Sequence, residues 1–180
     1  FKHELMKSEW FYRMGYTCHE LSKKQITQTV FLPYSSRLKD FSFWFTQLWA
    51  ESLGKKQDRS GKVVHQGLTP IPAYGATDQH SQMQLFMEGP FDKLILLLEV
   101  EKFSHDYALK NQFQTSSLKK LAGHSLAQLM KAELEGTLKA LKEGQRPLIK
   151  LSMAENNPYH MGALIILFEC LTALVGEIMN

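Results

Sequence analysis

The run DKLILLLEVEKF, from Asp92 to Phe103, constrains the fold more than any other stretch of the chain. Its apolar residues follow one another without the alternation of a strand that shows one face to water. A strand apolar on both sides belongs inside a sheet covered by helices on both faces, and such sheets are mainly parallel. Parallel neighbours need long crossovers, usually helices, so the rest of the chain should alternate strand and helix.

It does. QTVFLPY, from Gln28, is rich in β-branched and aromatic residues and reads as a buried strand that Pro33 ends. Ser35 and Ser36 can cap a helix whose apolar stripe is Leu38, Phe41, Phe45 and Leu48 and which Gly54 stops. The polar link to Gly67 predicts a short hairpin around Arg59-Ser60-Gly61. LTPIPAY, from Leu68, carries two prolines and belongs at a sheet margin. Thr77 or Asp78 should cap a helix to Met87, ended by Gly89-Pro90, and Ser104 to Ser116 reads as a loop. A helix from His124 to Leu141, a strand from Arg146 and a helix from Tyr159 to Met179 complete the series. Ahead of it, Met6, Trp10, Met14 and Cys18 fall at four-residue steps and predict a leading helix within residues 1–27. The expected fold is α/β: one domain over residues 1–180, a three-layer α/β/α sandwich with a mainly parallel sheet.

The balance of 21 basic and 18 acidic residues, net charge +3, supplies no footprint for nucleic acid or an anionic membrane. Met161 to Val175 is apolar but shorter than the roughly 20 residues of a bilayer span, and Glu169 interrupts it; it reads as a core helix. Cys18 and Cys170 lack metal-knuckle spacing and read as reduced thiols of a cytoplasmic protein. The seven histidines show no HxxxH or HxH spacing, so no metal site is expected.

Two places can carry chemistry. Gln47 and Glu51 stand four residues apart and share a helix face. A carboxylate there can take a proton from carbon beside a carbonyl if its surroundings raise its pKa and exclude water. Trp44, Phe45 and Trp49 are close enough in sequence to help desolvate it. Glutamate in a last helical turn is also mildly disfavoured by the helix dipole. The competing reading is a solvated helix end. His80 follows Thr77-Asp78-Gln79, where a helix N-terminus would favour neutral imidazole; the competing reading is a surface histidine. Gly75-Ala76-Thr77 could receive an anion on backbone amides. No GxGxxG, GxxxxGK[ST] or GxSxG motif supports a nucleotide or a serine nucleophile.

VFLPYSSRLKDFSFWFTQLWAESLGK followed by TPIPAYGATDQHSQMQLFMEGPFDK resembles the C-terminal half of the bacterial glucose-6-phosphate isomerases. Similarity runs on through LAGHSLAQLMKAELEGTLKAL and RPLIKL into the last helix, over most of residues 28–180. The resemblance implies a second sugar-isomerase (SIS) domain and interconversion of glucose 6-phosphate and fructose 6-phosphate through a cis-enediol, with no cofactor. It assigns the family's base, in an E-S-x-G-K block, to Glu51, its preceding glutamine to Gln47, and the ring-opening histidine of a G-x-x-x-Q-H block to His80. In the family that histidine serves the neighbouring subunit's site, which implies a homodimer. The family's S-K-T phosphate loop, G-G-R block and D-Q-x-G-V-E-x-x-K motif are not in these residues. The expectation is a piece of a longer enzyme that turns over little by itself. Alternatives are a sugar-phosphate-binding or dimerisation module without catalysis, or the isomerase part of a transaldolase fusion.

Overall fold

A computed structural model describes residues 1–110 and 115–179. The elements are α1 (Lys2–Leu5), α2 (Glu9–Lys23), β1 (Gln28–Pro33), α3 (Lys39–Leu53), β2 (Lys55–Gln57), β3 (Val63–Gln66), β4 (Thr69–Pro72), α4 (Met83–Glu88), β5 (Lys93–Lys102), α5 (Ser116–Lys119), α6 (Leu126–Glu143), β6 (Leu148–Glu155) and α7 (Pro158–Met179). β4, β1, β5 and β6 form one sheet in that spatial order, every neighbouring pair parallel. This is the expected three-layer α/β/α sandwich.

β5 lies inside the sheet, and its first eight residues are buried. Leu94, Leu96, Leu98 and Val100 face α2, α3 and α7, whereas Ile95 and Leu97 face α4 and α6. Phe168 of α7 meets Phe31, Phe41 and Phe45 at ring-centroid distances of 5.2, 6.1 and 5.1 Å and joins sheet to helices. β4, with its two prolines, is a margin strand as expected. The predicted hairpin is β2–β3, and Asp58 Oδ1 shapes its turn by accepting from the amides of Ser60 and Lys62 at 2.9 and 3.0 Å.

Two local expectations need correction, the leading helix and the length of the last one. The leading helix is broken: the Ser8 hydroxyl donates to the Leu5 carbonyl at 2.7 Å, and α2 starts afresh at Glu9. Its inward residues are Phe11, Met14 and Cys18, while Met6 and Trp10 are exposed. The predicted loop holds over residues 104–110, where an isolated bridge between Ala108 and Ser125 pins it, and α5 begins at its far end, at Ser116; residues 111–114 of it lie outside the described residues. α7 runs 22 residues, long and apolar enough by itself to cross a membrane. Here it buries Leu164, Leu167, Phe168, Leu171 and Val175 in the domain core, as a core helix does.

A charged pair between β5 and β6 stands beside the core. Glu99 of β5, 9% exposed, accepts from Lys150 Nζ of β6 at 2.7 Å and from the Ser152 hydroxyl at 3.2 Å. The bond to Lys150 holds the Glu99 carboxyl below its ordinary value against the cost of burial. A depressed carboxylate pKa contributes stability that is complete above the unfolded value and lost as pH falls through the folded one. We expect urea midpoints to drop below about pH 5. Lys150→Met should cost about 1.5–3 kcal/mol at pH 7 and shrink the acid-induced drop, since Glu99 then keeps only the Ser152 hydroxyl as a partner on folding. An unchanged acid limb in that variant would show that Glu99 does not titrate as described.

Candidate functional site

α3 is rotated by its buried residues. Phe41, Phe45, Trp49 and Leu53 recur at four-residue steps and all enter the core. Residues a half-turn away must then face water, and Phe43, Gln47 and Glu51 are exposed. Gln47 Nε2 donates to Glu51 Oε1 at 3.4 Å, so the predicted pair shares one face. The aromatic neighbours do not desolvate Glu51. Trp49 stacks on Phe45 at 5.2 Å inside the core, and Trp44 leans on Phe41 at 4.7 Å.

His80 does not sit in the first turn of an α-helix. Thr77–Gln79 form a single 3-10 turn, His80 closes it with its amide on the Thr77 carbonyl at 3.2 Å, and α4 begins only at Met83. The cause is Asp78. Its carboxylate accepts from the Tyr74 amide at 2.8 Å and from the Ser81 hydroxyl at 2.9 Å, which fastens the turn to itself. The α-helix dipole expected to act on His80 is therefore not there. The expected anion turn is also partly occupied, because the Gly75 amide donates to the Pro33 carbonyl at 3.0 Å.

Sequence reasoning missed what holds His80 in place. Tyr34, just past β1, is 1% exposed. Its hydroxyl lies 2.7 Å from Thr137 Oγ1 of α6 and 3.0 Å from Gln79 Oε1, within donating distance of both. Gln79 Nε2 in turn donates to Glu133 of α6 at 2.9 Å. Burial pushes the Tyr34 phenol up to about 12, against the lowering effect of Thr137, so the hydroxyl keeps its proton. Gly75 lies flat on the same ring: a Cβ there would come 2.6–2.7 Å from three Tyr34 ring carbons. The exposed imidazole of His80 thus projects from a turn bolted to β1 and α6. The only sequence signal was glycine five residues before the histidine; the partner helix lies more than 50 residues on.

Glu51 and His80 occupy opposite edges of the sheet. Gln28 pairs with Thr69 and Lys93, so β1, β4 and β5 start at one edge. α3 runs back from the carboxyl ends of the strands, and Gly54 at its close touches Gly67, two residues before β4, at 3.4 Å from an added Cβ. His80 follows β4 at the carboxyl edge, beside Tyr34. A six-residue strand rises about 20 Å, so one copy of the chain does not bring both side chains to one sugar. Among the described residues no cluster of three or more histidines, cysteines and carboxylates could hold a metal ion.

The profile of the family described as Phosphoglucose isomerase matches residues 18–180. The chain is 43% identical over 152 residues to a glucose-6-phosphate isomerase of Carboxydothermus hydrogenoformans, covering 84% of this chain and 33% of that protein. It is 42% identical over 149 residues to one of Thermus thermophilus, covering 83% and 35%. A crystal structure of a hypothetical protein from Thermus thermophilus matches at TM-score 0.83 and 39% identity over 91% of this chain and 39% of that one. A glucose-6-phosphate isomerase from Chlamydia trachomatis matches at TM-score 0.68 and 24% identity over 85% and 30%, a likeness of fold alone. The chain spans about a third of the length of these curated relatives. A profile match over nearly the whole chain, on a fold shared with solved relatives, carries one conclusion: the chain belongs to the phosphoglucose isomerase family.

Proposed function

We propose that residues 1–180 are a single SIS-type domain, led by the helical segment 1–27, that supplies the proton-transfer base of a glucose-6-phosphate isomerase working in the cytoplasm in glycolysis and gluconeogenesis. The Glu51 carboxylate takes the proton from C2 of the open-chain aldose, a cis-enediol forms, and the same carboxyl returns the proton to C1 to give the ketose. Gln47, already bonded to Glu51, orients it or meets a substrate hydroxyl. As the bond between C1 and the ring oxygen breaks, His80 gives its proton to the ring oxygen and the C1 hydroxyl releases its own to solvent, leaving the C1 aldehyde. No step draws on a metal or an organic cofactor.

The observation that carries this reading is the separation of Glu51 and His80 to opposite sheet edges. Two groups that serve one substrate from opposite ends of a domain require two copies, each giving its base to one site and its histidine to the other. A two-fold dimer satisfies this, because an isologous arrangement makes both exchanges at once. The Tyr34–Gln79–Glu133 bracket supports the same reading: a histidine that reaches across an interface has to be presented rigidly.

Two experiments follow. In the native protein, Glu51→Gln should keep substrate affinity and lower turnover by about 10³-fold or more, the scale of general acid–base catalysis at its upper end, and His80→Asn should impair ring opening. Mixing the two variants under conditions that exchange subunits should restore about a quarter of wild-type activity: half the dimers are hybrids, each with one intact site of two. No recovery, with hybrids demonstrated by mass spectrometry, would place both residues in one copy's site and defeat the dimer. Gly75→Ala should displace the Tyr34 ring, lower stability by about 1–3 kcal/mol in urea titrations and reduce turnover more than it alters substrate affinity. A variant as stable and active as wild type would remove the bracket from the mechanism.

A further inference from the structure

Glu51 stands where a helix is weakest. It lies in the last turn of α3, which ends at Leu53 and carries no basic residue to offset the negative end of the helix dipole. The last carbonyls of a helix have no partners within it, and such ends fray. Trp49 and Leu53 hold the inner side of this turn in the core, Leu53 against Gly176 of α7. The flank beside Glu51 is different. Leu48 and Ser52, about 60° and 100° around the helix from Glu51, face a recess of about 330 Å³ instead of a packed neighbour, and Thr172 and Glu177 of α7 form its far side.

An ion pair ties the chain beyond Glu51 across this recess to α7. The hairpin β2–β3 leaves α3 at once, with Gly54 alone between them. It returns at Gly67, where an added Cβ would lie 3.4 Å from Gly54 and 3.6 Å from the Leu53 carbonyl oxygen. Its tip is locked: the Gly61 amide donates to the Asp58 carbonyl and the Asp58 amide to the Lys62 carbonyl, at 3.0 Å each. Arg59 projects from that tip to Glu177, 118 residues on. Its Nη1 donates to Oε1 at 2.7 Å and its Nη2 to Oε2, a two-point fork that fixes direction as well as distance. The guanidinium holds the Glu177 carboxyl below its ordinary value. The hairpin is thus tied at its base to the end of α3 and at its tip to α7, which Phe168, Leu171 and Val175 fix in the core.

We infer that Arg59 and Glu177 are positioning residues for the base: by clasping the hairpin to α7 they steady the last turn of α3, and with it the direction of the Glu51 carboxylate. Both act through Glu51 and neither touches the reacting atoms. This rests on the reading of Glu51 as the proton-transfer base and supplies the brace that the exposed flank of the helix end lacks. Both side chains are largely exposed, so the pair adds little to global stability and its removal leaves the domain folded.

Arg59→Ala in the native protein tests it, read by hydrogen–deuterium exchange over residues 48–54 and by steady-state kinetics. Exchange there should quicken about 2–5-fold, the scale of an exposed ion pair, with the urea midpoint unchanged. The kcat should fall at least about 3-fold with KM within about 2-fold, because a misdirected base costs proton transfer and not substrate binding. Glu177→Gln should do the same. The swapped pair Arg59→Glu/Glu177→Arg should recover at least about half of the loss in both measurements, since the two charges still meet. Wild-type exchange in Arg59→Ala, a loss carried by KM with kcat unchanged, or a swapped pair no better than either single variant would overturn the inference. The exchange measurement needs no turnover, so it judges the clasp separately from the isomerase reading, which the kinetics of Glu51→Gln decide.

Discussion

Every strand of the main sheet runs parallel to its neighbours, and most of what this domain can do follows from that constraint. A parallel pair cannot be closed by a tight turn, so each crossover helix must travel the length of the sheet before the next strand begins. A helix therefore delivers its last turn to the edge opposite the one it left. α3 carries Glu51 to the amino edge in this way, while the turn after β4 holds His80 at the carboxyl edge. The distance between them is set by hydrogen-bonded geometry, and no side-chain adjustment closes about 20 Å. A dimeric site is thus the simplest way for one sheet to offer both groups to a single substrate.

The rotation of α3 decides what it offers. Burying an aromatic side chain contributes about 1.5–3 kcal/mol, and Phe41, Phe45 and Trp49 commit one face of the helix to the core with no competing stripe. Trp49 buries its indole Nε1 without a hydrogen-bond partner among the described residues, at a cost of about 1–3 kcal/mol. The ring stacks on Phe45 at 5.2 Å, which offsets part of that cost. A helix held so firmly on one side presents Gln47 and Glu51 on the other with little freedom to turn.

Much of this was legible in residue order, and the misses have physical causes. The apolar run of β5 announced a two-sided sheet, the prolines of β4 announced its margin, and the Phe41–Phe45 spacing announced the inner face of α3. The expectation that Trp49 would dry Glu51 overlooked helical geometry: two residues are about 200° apart, so neighbours in sequence face opposite ways. Met6 and Trp10 fitted a helical period, but Ser8 turns its hydroxyl onto the Leu5 carbonyl and breaks the helix there. Which side of α2 then turns inward depends on α7, because Leu174 packs against Gly15 across the chain. The 3-10 turn before His80 comes from Asp78 bonding backwards to Tyr74, a choice open to any aspartate at a cap. Gln47 and Glu51 were paired correctly by spacing alone, whereas Tyr34 gave no sign of its role, since its partner Thr137 lies 103 residues away.

α6 joins the two features of the carboxyl edge. Its first residues, Leu126, Ala127 and Met130, back a cavity of about 520 Å³ beside Ser35 and Phe103, past the ends of β1 and β5, and further along Glu133 and Thr137 brace Gln79 and Tyr34. Tyr34 itself lines the recess of about 250 Å³ that adjoins the cavity through Val100, Phe103 and Met130. A helix of 18 residues with a complete capping box moves as a unit. Its inner face is locked onto the sheet by Leu134, Leu138 and Leu141, on either side of Thr137. Any displacement of the helix would alter the cavity wall and the seat of His80 together, because one rigid element forms both.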